Sequence, residues 1–170
     1  MPFLNKNTRH SITLFLDGRK VTGLAEPRLL LSDFLRQEQF INAVHVACEH
    51  GVCGACTVLL DGKAVRSCLI FAVQVAGRRI DTAAGLADEN GELNDLQRAF
   101  RRHHALQCGY CTPGILMSVT DFLARNPQPT EGALREMLSG HLCRCTGYTG
   151  IVRAVLDVVA KRVSSRSSCT

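Results

Sequence analysis

The chain has 170 residues, a net charge of +5, nine cysteines and no tryptophan. That length suits one domain or two small ones, and the mild positive charge without interleaved aromatic residues argues against nucleic-acid binding. The N-terminus lacks the apolar core of a secretory signal, and no apolar stretch reaches the roughly 18 residues of a membrane span, so we expect a cytoplasmic protein with reduced cysteines.

The first half of the chain predicts strands and one helix. In chain order these are strands at 11–16 and 19–24, a helix at 28–38, strands at 57–60 and 64–67, and a short strand near 78–82. Asp17-Gly18 and Asp61-Gly62 predict two hairpin turns, because both residues of such a pair tolerate a positive φ. Together these elements indicate an α+β domain.

The second half has helical periodicity after a polar linker at 86–91. Helices are predicted at 93–104, 113–125, 131–138 and 148–163, followed by a flexible tail at 164–170 that contains Cys169. Thr112 can cap the second of these helices, and Pro113 suits its first turn. Four helices joined by short loops indicate a small bundle.

Eight of the cysteines fall into two sets of four. The first set consists of Cys48, Cys53, Cys56 and Cys68. Its C-x4-C-x2-C spacing with a later fourth cysteine is the pattern that plant-type ferredoxins use for a [2Fe–2S] cluster. Gly51 and Gly54 would let the loop turn tightly and bring amide N–H groups near the sulfurs. Zinc also accepts four thiolates, although zinc ribbons typically use paired C-x2-C units.

The second set combines a C-x2-C motif with a later C-x-C motif. It consists of Cys108, Cys111, Cys143 and Cys145. Both motifs precede predicted helices, and the free N–H groups at a helix start favour thiolates. Two tetrathiolate sets on one short chain predict two metal centres and a path for electrons. A zinc-stabilised interaction module and an iron–sulfur redox sensor are the alternatives.

Three segments carry a resemblance to a known family. CEHGVCGACTV at 48–58, QCGYCTPG at 107–114 and GHLCRCTGY at 140–148 resemble the iron–sulfur (small) subunit of molybdenum hydroxylases, the xanthine oxidase and carbon monoxide dehydrogenase small-subunit family. The resemblance implies a ferredoxin-like β-grasp domain and a C-terminal four-helix-bundle domain, each with one [2Fe–2S] cluster. We expect these domains at 9–85 and 92–163.

The same resemblance implies a role in electron transfer, without substrate chemistry on this chain. Electrons would pass from molybdopterin, as its cytosine dinucleotide, on a large subunit through the two clusters to FAD on a medium subunit, within a dimer of heterotrimers. Gln107 would hydrogen-bond the pterin cofactor, and Cys145 would approach it. The substrate and the final electron acceptor stay open, because nothing in this chain contacts them.

Two positions depart from the family pattern. His141 stands where members commonly have Asn, and Ala47 where they commonly have Gly. We interpret His141 as a hydrogen-bonding substitute and Ala47 as a small, harmless replacement. His45 and His50 flank the first cysteine loop, and we interpret them as supporting or exposed residues, because four cysteines are already available as ligands.

Overall fold

The computed structural model describes residues 4–167, with side chains to residue 165, and its first half contains a five-stranded mixed sheet. The strands are β1 (His10–Leu16), β2 (Arg19–Ala25), β3 (Thr57–Leu60), β4 (Lys63–Arg66) and β5 (Arg79–Asp81). They lie in the order β2-β1-β5-β3-β4, with β1 and β5 parallel and the other neighbours antiparallel. This order is the β-grasp topology, so the predicted fold is confirmed.

Both predicted Asp-Gly hairpin turns are present. Asp17 and Gly18 have φ values of 47° and 80°, and Asp61 and Gly62 have values of 49° and 82°. Positive φ at both central residues is the backbone of a type I′ turn, whose twist matches that of the strands it joins. The second turn brings Cys68 back toward the loop that holds the other three cysteines of the first set.

The first helix is shorter than the prediction of 28–38. Helix α1 covers Leu31–Asp33 and continues as a π-helical turn over Phe34–Glu38. The residues before it pair with a distant segment instead, since Ala72 N donates to Leu29 O at 2.8 Å. This long-range pairing holds the chain extended up to the first residue of the helix.

The second half forms the four predicted helices. They are α2 (Asp95–Arg102), α3 (Thr112–Arg125), α4 (Glu131–Leu138) and α5 (Tyr148–Ser167). Helix α5 extends beyond its predicted end at residue 163, and no Gly or Pro follows that position to stop it. The prediction that Thr112 caps α3 is wrong, because Cys111 occupies the N-cap and no side chain caps the helix. Cys169 lies outside the described residues.

Helix α3 joins the two halves of the molecule. Each half has its own hydrophobic core, one around Leu14 and Phe34 and the other around Phe100 and Ile115. The carboxylate of Asp121 in α3 also accepts a hydrogen bond at 3.1 Å from the backbone of β4, the edge strand of the sheet. Covering an edge strand in this way removes an open hydrogen-bonding surface. Within residues 4–167, no helix combines the length and hydropathy that crossing a bilayer requires.

Candidate metal centres

The first cysteine set lies on the loop before β3 and on the turn after β4. Cys53, Cys56 and Cys68 are buried, and Cys48 is half-buried. Ser67 Oγ donates to Cys56 O at 2.7 Å, which ties the turn to the loop. The thiols lie close enough to affect one another's ionisation, since the pKa of Cys48 responds to the Cys53 thiol and that of Cys68 to the thiols of Cys56 and Cys48.

Two backbone N–H groups point at the sulfur of Cys48. The amide of Cys53 lies 3.3 Å from Cys48 Sγ, and the amide of His50 lies 3.4 Å from it. These two hydrogen bonds lower the pKa of Cys48 to about 6, and the one from the Cys53 amide has the larger effect. Gly51 has a φ of 76°, which allows the loop to fold back over the sulfur. The loop therefore favours the thiolate, which is the form that binds iron.

The thiols of the second cysteine set also affect one another's ionisation. The pKa of Cys108 responds to the Cys145 thiol, and that of Cys111 to the thiols of Cys143 and Cys108, so the C-x2-C and C-x-C motifs lie close together. Gly147 N lies 3.4 Å from Cys143 Sγ, at the start of α5. This is the N–H environment expected from the position of the motif before a helix.

Burial works against ionisation at one cysteine of each set. It raises the pKa of Cys68 to about 11 and that of Cys111 to about 12, with a further contribution from a neighbouring cysteine in each case. Metal binding at these positions must therefore release protons. Within residues 4–167, no three His, Cys, Asp or Glu side chains form a group spaced for a single metal ion.

Each cysteine set fits the donor set of a [2Fe–2S] cluster. Such a cluster contains two irons, and four cysteines supply two ligands to each iron. Each set provides four thiols, with N–H donors directed at Cys48 in the first set and at Cys143 in the second. The number and type of donor atoms and the N–H groups around them therefore suit a two-iron cluster.

A cavity of about 430 Å³ lies where the two cysteine loops meet. It is lined by Cys53 of the first set and by Cys108, Cys111 and Cys143 of the second. A backbone hydrogen bond also joins the two loops directly, from Leu142 N to Cys53 O at 3.0 Å. The residues next to one set are thus connected to the residues next to the other.

Gln107 links the two motifs of the second set. Its side-chain amide donates to Cys145 O at 3.0 Å, and both Gln107 and the neighbouring Cys108 are exposed. The predicted contact with a pterin stays a prediction. The position is compatible with it, because a partner could reach this face without disturbing the first domain.

Sequence reasoning missed that Tyr110 bridges the two domains. Its ring stacks on His45 with centroids 4.7 Å apart, and its hydroxyl donates to Val46 O at 2.5 Å. In return His45 Nδ1 lies 2.7 Å from Tyr110 O. The one available signal was an aromatic residue between two cysteines in a chain with few aromatics.

Arg66 and His141 form a second bridge that the sequence did not predict. The Arg66 guanidinium donates to Gly51 O at 3.4 Å and to Gly140 O at 2.6 Å, on opposite sides of the domain boundary. His141 Nε2 lies 2.7 Å from Ser118 Oγ of α3. Burial, followed by the nearby Arg66 charge, lowers the pKa of His141 to about 4, so the imidazole is neutral at neutral pH.

Comparisons with known proteins identify the family. The model for a 2Fe-2S iron-sulfur cluster binding domain matches residues 14–87, and that for a [2Fe-2S] binding domain matches residues 82–156. The nicotine 6-hydroxylase small subunit of Paenarthrobacter nicotinovorans is 54% identical over 149 residues, which cover 88% of this chain and 89% of that protein. The chain belongs to the iron–sulfur small subunits of the molybdenum hydroxylases. As such an iron–sulfur subunit, it is part of an oxidoreductase complex and serves its electron transfer.

Two further matches agree with this placement. Caffeine dehydrogenase subunit gamma from Pseudomonas sp. strain CBB1 is 46% identical to the iron–sulfur subunit, over 88% of this chain and 90% of that protein. The crystal structure of quinoline 2-oxidoreductase from Pseudomonas putida 86 contains a chain that superposes with a TM-score of 0.88 at 44% identity, covering 94% of this chain and 98% of that one. The predicted family and α+β fold are confirmed, and the two family models favour iron–sulfur clusters over zinc.

Proposed function

We propose that the iron–sulfur subunit relays electrons from a molybdopterin centre on a large subunit, through two [2Fe–2S] clusters, to FAD on a medium subunit. The observation that carries this proposal is the presence of two four-cysteine sets whose loops meet at one cavity of about 430 Å³, lined by Cys53 of the first set and by Cys108, Cys111 and Cys143 of the second. A single structural metal would need only one set. Two sets whose loops are joined by a direct hydrogen bond, from Leu142 N to Cys53 O, suit a relay.

We assign one cluster to each set. The first would be held by Cys48, Cys53, Cys56 and Cys68, in a β-grasp domain at 9–85. The second would be held by Cys108, Cys111, Cys143 and Cys145, in a helical domain at 92–163. Each cluster, when bound, supplies a one-electron carrier. The chain's own contribution is to hold the thiolates, to donate N–H groups to their sulfurs, and to bury three of the eight cysteines fully and four partly.

The two sets would face different partners. Gln107 and Cys145 would meet the pterin, as its cytosine dinucleotide, because Gln107 and Cys108 are exposed beside the second set. The first set is bordered by Val52 and Leu69, each 61% exposed, and this apolar edge would meet the medium subunit. The whole assembly would be a cytoplasmic dimer of heterotrimers.

The substrate of the complex would be a nitrogen heterocycle. The relatives named above act on nicotine and caffeine, and the similar crystal structure is that of a quinoline oxidoreductase. This chain contributes nothing to that choice. The large subunit would determine which heterocycle is oxidised.

Spectroscopy of the purified complex tests the relay. We expect a coloured protein that gives two distinguishable paramagnetic resonance signals after dithionite reduction, one for each cluster. The potential of a cluster depends on hydrogen bonds and solvent exposure, and these differ between the two sets. A colourless protein without a signal in the reduced state would refute the proposal.

Replacing Gln107 by alanine tests the pterin contact. We expect Gln107→Ala to assemble with both clusters and to lower turnover by about 10-fold, in the range seen when a supporting hydrogen bond at a metal site is lost. Molybdenum content and the rate of cluster reduction by substrate are the measurements. Full molybdenum content with unchanged turnover would remove Gln107 from the site. Gln97→Ala, at the capping box of α2, is the control glutamine variant.

A further inference from the structure

His141 is buried between the two cysteine loops. The residue is only 2% exposed, and it lies two positions before Cys143 in the sequence. One ring nitrogen, Nε2, lies 2.7 Å from Ser118 Oγ. This contact fixes the plane of the imidazole against helix α3, so the ring is held from the side of the helical domain.

The other edge of the ring touches the first cysteine loop. A Cβ atom placed on Gly54 would lie 2.3 Å from His141 Nδ1 and 2.8 Å from its Cε1. Gly54 stands between Cys53 and Cys56, so the imidazole fills the space between a loop of the first set and a loop of the second. No longer side chain at Gly54 could coexist with this ring without a shift of the backbone.

Stability alone does not account for an imidazole here. Within residues 4–165, Nδ1 is a buried polar atom without a hydrogen-bond partner, and such an atom carries a free-energy penalty. An apolar ring of similar size would fill the space without that penalty. The histidine instead combines a rigid, flat shape with a hydrogen bond that orients it.

The surrounding contacts show that the spacing of the loops is closely controlled. Arg66 donates to Gly51 O on one loop and to Gly140 O beside His141 on the other. Leu142 N donates to Cys53 O at 3.0 Å. Arg66 reaches across the two loops, whereas the imidazole of His141 lies between them. The ring therefore limits how closely the two loops can approach each other.

We propose that His141 is a positioning residue whose imidazole sets the separation of the two clusters. The inference rests on the proposed function, since it requires a cluster in each set. Electron exchange falls steeply with distance, so a spacer that fixes the gap between the loops fixes the rate of exchange. The residue acts through the backbone of the two loops and not as a ligand.

The test uses the full chain in complex with its partner subunits. In His141→Ala we expect both reduced-cluster signals to be kept, their magnetic coupling to strengthen, and electron exchange between the clusters to speed up by about 10-fold, because the loops can close into the space that the imidazole fills. His141→Gln should return the coupling toward that of the unsubstituted protein, because its amide can reach Ser118 from the same backbone position. Val158→Ala, a buried change elsewhere in the bundle, should leave the coupling unchanged.

Unchanged or weakened coupling in a fully loaded His141→Ala complex would overturn the proposal, and so would an equal change of coupling in Val158→Ala. If His141→Ala does not assemble, Ser118→Ala decides, because it removes only the hydroxyl that orients the ring. Coupling no stronger than in the unsubstituted protein would then overturn the spacer role. Absence of reduced-cluster signals from the unsubstituted complex would instead refute the proposed function.

Discussion

Cys111→Ser is expected to remove the cluster of the helical domain and to stop turnover of the complex. Cys111 occupies the N-cap of α3, and its pKa responds to the neighbouring thiol of Cys143. Burial already raises the pKa of its thiol to about 12, so iron must displace a firmly held proton there. A serine hydroxyl ionises far less readily than a thiol and is a poorer ligand for iron, so the buried position would not bind metal.

Three measurements check the Cys111→Ser variant. Iron content should fall by half, one of the two reduced-cluster signals should disappear, and turnover should drop by more than about 100-fold, the upper range for losing only a supporting residue. Cys169→Ser is the matched control, because this cysteine belongs to neither motif. Turnover that survived with a single cluster would mean that electrons bypass the helical domain.

Local chemistry made much of the fold predictable. The Asp-Gly pairs at 17–18 and 61–62 specify type I′ turns on their own, because few other residue pairs accept positive φ at both positions. The helices after residue 92 were visible because their apolar residues recur with the helical period over two or more turns. The cysteine spacing indicated the two donor sets for a similar reason, since each motif lies within a few residues.

Features that depend on distant parts of the chain were not predictable. The first helix was assigned three residues too early, because Leu29 pairs with Ala72 and no local signal reports that pairing. The cap of α3 was assigned to Thr112, whereas the geometry of the cysteine loop gives that position to Cys111. In both cases the local sequence favours one helix start, and tertiary contacts override that preference.

The bridges between the domains show the same limit at the site itself. Arg66 reaches Gly140 across 74 residues of sequence, and His45 reaches Tyr110 across 65. A single sequence gives no register between two segments so far apart. The ligands could therefore be assigned from spacing, while the residues that hold the two loops together could be recognised only in the structure.

Gly114→Ala is expected to destabilise the protein, although alanine favours helix by about 1 kcal/mol over glycine. Gly114 lies in the first turn of α3, where a Cβ atom would come within 2.2 Å of Gly54 O and 2.9 Å of Ala55 O. Both are backbone atoms of the first cysteine loop and cannot rotate away. Overpacking of this kind costs about 1–3 kcal/mol or more, which exceeds the gain in helix propensity.

Gly132→Ala in α4 provides the matched control for this prediction. There the nearest atom to a new Cβ is Thr130 Oγ1 at 3.9 Å, so the substitution should raise stability by up to about 1 kcal/mol. The midpoint of thermal bleaching of the visible absorption, measured for both variants, should therefore move in opposite directions. Equal stabilisation by the two alanines would show that α3 can withdraw from the first cysteine loop at little cost.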